Sequence, residues 1–153
     1  MKKFLVFASI VATISSCGNS ADEPIAETDS LTSEIIYAWR PTVNDTTGKF
    51  DIKKTEATNM DSLSVNSIVD YINGSDTNIH LDIVKTSGDT IYLKIPTAEI
   101  LTQQRGTSGA ALYLSRVVYN LTELPNIHYV NFDFAQGDHA SPGTYSRDSF
   151  KEY

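Results

Sequence analysis

The chain has 153 residues, of which 41% are hydrophobic and 20% are charged, and its 19 acidic and 12 basic residues give a formal net charge of −7. This negative balance opposes binding to nucleic acid, because contacts with phosphates need basic side chains. Cys17 is the single cysteine. An intramolecular disulfide and a zinc site built from several thiolates are therefore both excluded.

The N-terminus has the pattern of a secretory signal peptide over residues 1–16. Two lysines precede an apolar run at residues 4–14, which is shorter than the about 20 residues that a membrane-spanning helix needs. The sequence Ile14-Ser15-Ser16-Cys17 is similar to the lipobox of bacterial lipoproteins. This resemblance implies cleavage before Cys17, lipid attachment to its thiol and anchoring to a membrane through acyl chains. The alternative is an ordinary signal peptide followed by an incidental cysteine.

Residues 17–33 are polar and acidic and have almost nothing to bury, so they are predicted to form a flexible tether. Gly18, rather than an aspartate, follows Cys17. In lipoproteins this position is associated with sorting, and glycine there favours the outer membrane. We therefore expect a lipid-anchored protein of the bacterial cell envelope, in the outer membrane, on either its periplasmic or its surface face.

From residue 34 to residue 153 the sequence predicts one folded α+β domain. A first strand that stops at Pro41 is predicted from the alternating apolar residues Ile35, Tyr37 and Trp39. A weaker second strand is predicted around Phe50 and Ile52. A helix follows, which Asp61 or Ser62 can cap and which Asn73-Gly74 is expected to end. Its apolar stripe consists of Val65, Ile68, Val69 and Ile72.

A β-hairpin comes next, because two runs with alternating apolar residues flank the turn formers Thr86-Ser87-Gly88-Asp89. The residues predicted to face the core are Ile79, Leu81 and Ile83 in one strand and Ile91, Leu93 and Ile95 in the other. Residues 96–109 then connect the hairpin to a second helix. Within them, Gln103-Gln104-Arg105 could bind a carboxylate, although a solvated loop is the simpler interpretation.

The second helix is predicted over residues 109–123. Thr107 or Ser108 can cap its N-terminus, and Pro125 disfavours helical backbone at the preceding residue. Its apolar stripe consists of Ala111, Leu114, Val118 and Leu121. From Ile127 the period changes to that of a strand, whose core-facing residues are Val130, Phe132 and Phe134.

The run LxxxVxxLTELPNIxxVxF, from Leu114 to Phe132, resembles the signature of the GerM-type domain of sporulation and spore-germination proteins. In that family a helix ends in a threonine-leucine-threonine-glutamate-phenylalanine-proline-glycine stretch and passes into a final strand. Asn120, Leu124 and Asn126 depart from that stretch here. The resemblance implies a compact mixed-sheet α/β module with a structural or protein-interaction role and without known catalytic residues.

The predicted order of elements is therefore β-β-α-β-β-α-β. Each element has a single apolar face to bury. One mixed sheet of about five strands, with both helices on one face, is the simplest arrangement that buries all of these faces.

Three groups of residues could carry chemistry, and each has a simpler explanation. Gly106-Thr107-Ser108-Gly109 could hold an anion, but it lacks the lysine of a phosphate-binding loop, and a helix cap is the simpler interpretation. No metal-ligand spacing relates the three histidines, which are His80, His128 and His139. Two of them, His80 and His128, are predicted on strands and could meet beside Asp82. Asp138, His139 and Ser141 supply the residue types of a hydrolytic triad at positions too close to align. We predict no metal and no cofactor.

The tail, residues 137–153, contains too many aromatic residues for a plain disordered end. One interpretation is a contact patch for a partner, formed by Asp138, His139, Tyr145 and Arg147. The other is that Tyr145 and Phe150 pack the tail onto the sheet as an extra edge strand.

Taken together, these patterns favour a non-enzymatic envelope lipoprotein that acts as a structural or protein-interaction module with an envelope protein as partner. A second hypothesis is a binder of small ligands or glycans that uses the wetter face of the sheet with Tyr92, Tyr129 and Tyr145. A third is an envelope hydrolase, which needs an acid or nucleophile pair in a pocket.

Overall fold

The computed structural model describes residues 39–54 and 63–153, and both stretches belong to one compact unit. Four predicted features lie outside the described residues: the signal peptide, the tether with Cys17, the start of the first strand and the caps of the first helix. The elements in chain order are β1 (Trp39–Val43), β2 (Phe50–Lys54), α1 (Val65–Ser75), β3 (Asp82–Ser87), β4 (Thr90–Lys94), a π-helical turn (Ile100–Gln104), α2 (Gly106–Leu121), β5 (Tyr129–Asp133), β6 (Gly143–Tyr145) and a 3₁₀ turn (Arg147–Phe150).

Four strands form a mixed sheet in the order β3-β4-β5-β6, in which only the β4–β5 pair is parallel. Helix α2 makes the connection that a parallel pair requires. The predicted α+β class is thus confirmed. The prediction of one five-stranded sheet is wrong, because β1 and β2 form a separate two-stranded sheet and β6 comes from the tail.

The β3–β4 and β5–β6 pairs are antiparallel, and the parallel β4–β5 pair sets Thr90 opposite Tyr129 and Lys94 opposite Asp133. Both helices lie on one face of this sheet, as the sequence predicts. The alternation predicted for β4 and β5 is confirmed, since their core-facing residues are all buried: Ile91, Leu93, Ile95, Val130, Phe132 and Phe134. The other face of the sheet carries no helix among the described residues.

Strand β1 continues through Pro41, where the sequence predicts its end. The Trp39 N–H donates to Asn120 Oδ1 at 3.1 Å and the Trp39 carbonyl accepts from Asn120 Nδ2 at 2.9 Å, so the backbone of Trp39 faces α2 and not β2. Backbone groups two residues apart in an antiparallel strand point the same way. The nitrogen of Pro41 therefore also faces away from β2, where a missing N–H costs no ladder hydrogen bond.

The β1–β2 hairpin also contacts the end of the chain. The Phe50 N–H donates to the Tyr153 carbonyl at 3.0 Å, and the rings of these two residues stack with centroids 5.1 Å apart. The hairpin is thus held by α2 on one side and by the tail on the other.

Ile83 is the one predicted core residue of the hairpin β3–β4 that is not buried; it is 38% exposed. The register shifts between Ile83 and Lys85, which indicates a bulge at Val84. All six residues of this edge strand are exposed. Ile83 lies opposite the buried Leu93 and so lies on the helix-covered face, but it belongs to the edge strand. A regular alternation in the sequence does not show which strand lies at an edge, and the prediction that Ile83 is a core residue is wrong for that reason.

Helix α1 is capped by Ser64, whose hydroxyl accepts from the Ser67 N–H, while the Ser67 hydroxyl accepts from the Ser64 N–H. Its end is not at Asn73-Gly74, as predicted, but at Ser75. Asn73 instead binds the backbone of Leu81, accepting from its N–H at 2.8 Å and donating to its carbonyl at 3.0 Å. This asparagine fixes the chain that enters β3 against the helix.

Helix α2 begins at Gly106, earlier than predicted, directly after the π-helical turn. The residue before it, Arg105, makes no side-chain cap, so the prediction that Thr107 or Ser108 caps the helix is wrong. The helix ends at Leu121, and Asn126 adopts a left-handed conformation with φ 64° at the corner before β5. The predicted apolar stripe of this helix is buried in full.

The tail packs onto the domain, which confirms the second of the two interpretations of its aromatic residues. Strand β6 pairs with β5, Phe150 is buried, and Tyr145 stacks on Phe150 with ring centroids 5.9 Å apart. The tail is therefore part of the core, and its deletion would remove packing together with any contact surface.

Candidate functional site

The four residues of the predicted contact patch do not lie together. Asp138, His139 and Tyr145 line a cleft of about 260 Å³ beside α2, which we call the tail cleft. Arg147 lines a different cavity, with His128 and Tyr129 among its neighbours. The structure thus separates Arg147 from the other three.

The tail cleft is held in place by backbone contacts with the π-helical turn. The His139 N–H donates to the Thr102 carbonyl at 3.0 Å, and a Cβ at Gly137 would come within 2.6 Å of the Thr102 side chain. His139 Nδ1 lies 3.2 Å from Thr107 Oγ1, and the Tyr145 hydroxyl donates to the Ser141 carbonyl at 2.6 Å. The ring of His139 is therefore engaged with a threonine and not with Ser141.

Arg147 belongs instead to a set of residues that joins three parts of the chain, the Glu123 cluster: Trp39, Lys54, Tyr119, Thr122, Glu123 and Arg147. Arg147 donates to Thr122 Oγ1 at 2.8 Å, to the Tyr119 carbonyl at 3.0 Å and to the Glu123 carboxylate at 2.9 Å. Its guanidinium also lies 4.8 Å from the centroid of the Trp39 ring. Arg147 therefore ties the tail to the C-terminal end of α2 and to β1.

Glu123 is the acceptor at the centre of this cluster. Its carboxylate accepts from Trp39 Nε1 at 2.8 Å, from Arg147 and from Lys54. Burial by itself raises the pKa of Glu123, but the hydrogen bonds from Lys54, Trp39 and Arg147 outweigh it and lower the pKa to about 2. Thr122 and Glu123 are two residues of the LTELPN run. This run therefore has a structural role, since it joins the end of α2 to β1 and to the tail.

A groove with basic side chains runs between β1 and the two helices. It consists of two adjoining cavities of about 290 and 340 Å³ that share Pro41 and Arg116. Arg40 lines the first cavity and Arg105 lines the second. We call the two cavities together the arginine groove, and the residues used below to describe it are Arg40, Pro41, Arg105, Tyr113 and Arg116. Three of the four arginines of an acidic chain lie there.

The arginines at the helix side of this groove are already held by neighbours. Arg105 pairs with the carboxylate of Asp76 and lies 5.3 Å from the centroid of the Tyr113 ring. Arg116 donates to Ser75 Oγ at 2.5 Å. The sequence suggests that Gln103-Gln104-Arg105 could bind a carboxylate. The carboxylate that Arg105 binds in the structure is that of Asp76, in the same chain.

Tyr113 lies in the wall of the groove and is only 3% exposed. Its hydroxyl oxygen has no hydrogen-bond partner, and among the described residues it is the one fully buried side-chain polar atom of which this is true. Burial raises the pKa of Tyr113 well above its ordinary value, so the hydroxyl stays protonated. The sequence predicts neither the unpaired hydroxyl nor the clustering of the arginines.

The two histidines for which the sequence leaves a meeting beside Asp82 open, His80 and His128, lie at opposite ends of the sheet. His80 precedes β3, which starts at the Lys94 end of β4, whereas His128 precedes β5, which starts at the Thr90 end. His80 Nε2 lies 3.3 Å from Asp82 on the exposed edge. Residues 39–54 and 63–153 contain no group of three side chains suited to holding a metal ion.

The three tyrosines of the ligand-binding hypothesis do not form one groove. Tyr92 pairs with Asn131, and Tyr129 pairs with Thr90, so both tyrosines lie on the open face of the sheet. Tyr145 pairs with the buried Val130 and therefore lies on the helix-covered face. A ligand on the open face could not contact all three.

Comparison of the chain with protein-family models, curated proteins and solved structures gives no match in any of the three. The GerM-type resemblance therefore stays a prediction. In the part of the chain that the structure describes, no helix is both long and apolar enough to cross a membrane.

Proposed function

We propose that the protein is a lipid-anchored component of the bacterial cell envelope whose α+β domain serves as a non-enzymatic protein-interaction module of GerM-like type. The anchor is supported by the signal-peptide pattern of residues 1–16 and by the lipobox-like sequence that ends at Cys17. Transfer to the outer membrane is part of the same proposal and is supported by Gly18.

The observation that carries the interaction role is the free edge of β3. This strand pairs with β4 on one side, and no other strand among the described residues pairs with its second side. Ile83 and Val84 are 38% and 58% exposed on it. An exposed strand edge offers backbone N–H and C=O groups to an extended peptide, and nearby apolar side chains add contact area. An extended segment of an envelope protein is the partner that this surface fits.

Site-specific crosslinking in cells tests the interaction role. A photoreactive amino acid at Val84 is expected to give a discrete crosslinked species, because this side chain lies at the free strand edge. The matched control is Val43, a residue of the same type that is 39% exposed on β1. The same species at both positions, or none at Val84, would contradict the proposed surface.

The anchor has its own test, the substitution Cys17→Ser. A serine cannot accept the thioether-linked lipid, so we expect loss of lipid labelling and accumulation of the unprocessed chain in cells. Two acyl chains hold a protein firmly on a bilayer. Metabolic labelling with a radioactive fatty acid measures the attachment of these chains directly. Normal maturation and unchanged labelling of the variant would refute the anchor.

A further inference from the structure

We propose that the arginine groove is a binding site for a small ligand that carries a carboxylate or phosphate group. The groove and the β3 edge are formed by different elements, so this site is independent of the proposed interaction role. Three observations support it: the clustering of positive charge, the positioning of that charge, and the unpaired hydroxyl of Tyr113.

The charge of the groove runs against that of the whole chain. Among the residues that the structure describes, Asp76 is the one acidic residue that lines the two cavities with Arg40, Arg105 and Arg116, whereas the chain carries a formal charge of −7. Cations enclosed by low-dielectric walls attract anions more strongly than the same cations spread over a surface. The groove is therefore a local site of positive potential on an acidic protein.

Two of the arginines are also positioned in advance. Asp76 and the Tyr113 ring hold Arg105, and Ser75 and the Tyr71 ring hold Arg116. The contacts with Asp76 and Ser75 are each made by Nη2 of the arginine. A guanidinium has five N–H donors in a planar fork that matches carboxylate and phosphate oxygens. Little side-chain freedom remains to be lost when an anion binds.

Tyr113 supplies the third observation. A buried hydroxyl without a partner is unfavourable, and such groups are uncommon in native proteins. The hydroxyl itself is covered, so it would donate to a ligand oxygen after a local shift of the wall that Arg105 and Arg116 also line. A ligand oxygen would satisfy it. Leu112 and Pro41 line the same cavity, so the ligand has room for a small apolar part.

The site can be tested by fluorescence, because Trp39 is the single tryptophan and lines the groove. The full chain in an uncharged detergent is titrated with glycerol phosphate and, separately, with acetate, at constant ionic strength set with chloride. We expect a saturable change with a dissociation constant on the order of 1 mM for at least one of the two anions. Vesicles of phosphatidylglycerol, compared with soluble glycerol phosphate, distinguish a lipid headgroup from a free ligand.

Three variants identify the groove as the site. Arg116→Gln is expected to weaken binding of the anion about tenfold, because a charge-assisted hydrogen bond is lost. The control is Lys85→Gln, which changes an exposed cation on β3 and should leave binding unchanged. Tyr113→Phe should weaken binding without lowering the melting temperature, because it removes a hydroxyl that has no partner in the fold. No saturable change with either anion or with vesicles, or equal binding by the wild type and Arg116→Gln, would overturn the proposal.

Discussion

Leu121→Asp is expected to leave the chain unfolded at room temperature. Leu121 is fully buried in the apolar stripe of α2, where the charged aspartate would have neither water nor a cation as partner. Burial of an unpaired charge together with loss of a packed leucine costs more than about 4 kcal/mol, which is comparable to the whole stability of many small domains. Far-UV circular dichroism and thermal denaturation measure the outcome.

The control for this substitution is Ser108→Asp, which places the same charge on the same helix. Ser108 is exposed in the first turn of α2, where a negative charge interacts favourably with the helix dipole. The control should fold as the wild type does. A cooperative thermal transition of Leu121→Asp near that of the control would show that α2 is packed differently.

Glu123→Gln is expected to destabilise the domain at neutral pH by about 2 kcal/mol, because it replaces charge-assisted hydrogen bonds to three donors with weaker ones. The pKa of this carboxyl is about 2 in the folded protein against an ordinary 4.5. Ionised Glu123 therefore contributes its full stabilisation above pH 4.5, and this contribution is lost as the pH falls towards 2. The difference between the wild type and the variant should narrow over this interval.

Urea denaturation at a series of pH values measures this difference. Asp148→Asn is the matched control, since Asp148 pairs with Lys151 at the surface and its side chain is 76% exposed. That variant should change stability little at any of these pH values. A constant difference between the wild type and Glu123→Gln down to about pH 2 would mean that the carboxylate is not the source of the stabilisation.

Local patterns in the sequence predict those helices and strands in which one face is buried along the whole element. The stripes of both helices and the alternation in β4 and β5 are of this kind, since each depends only on which face of an element is buried. The pattern fails at Ile83, which lies on the helix-covered face but on the exposed edge strand. It also fails at Pro41, whose nitrogen faces away from β2, on the side where Asn120 of α2 binds the backbone of Trp39. Both outcomes depend on tertiary contacts.

The candidate sites could be predicted less well than the fold. Proximity in the sequence groups Arg147 with Asp138, His139 and Tyr145, but Arg147 pairs with Glu123, 24 positions away. The arginine groove likewise joins Arg40 from β1 with Arg105 and Arg116 from the region of α2. No spacing in the sequence relates such residues, because only the folded chain brings them together.

The contacts of the β1–β2 hairpin have a consequence for the order in which a newly made chain can fold. Trp39 binds Asn120 and Glu123, 81 and 84 positions later, and Phe50 binds Tyr153. Contacts across such separations form late, because a long loop has to close first. The hairpin precedes both partners in the chain, so it has nothing to dock against until α2 and then Tyr153 have reached the compartment where the chain folds.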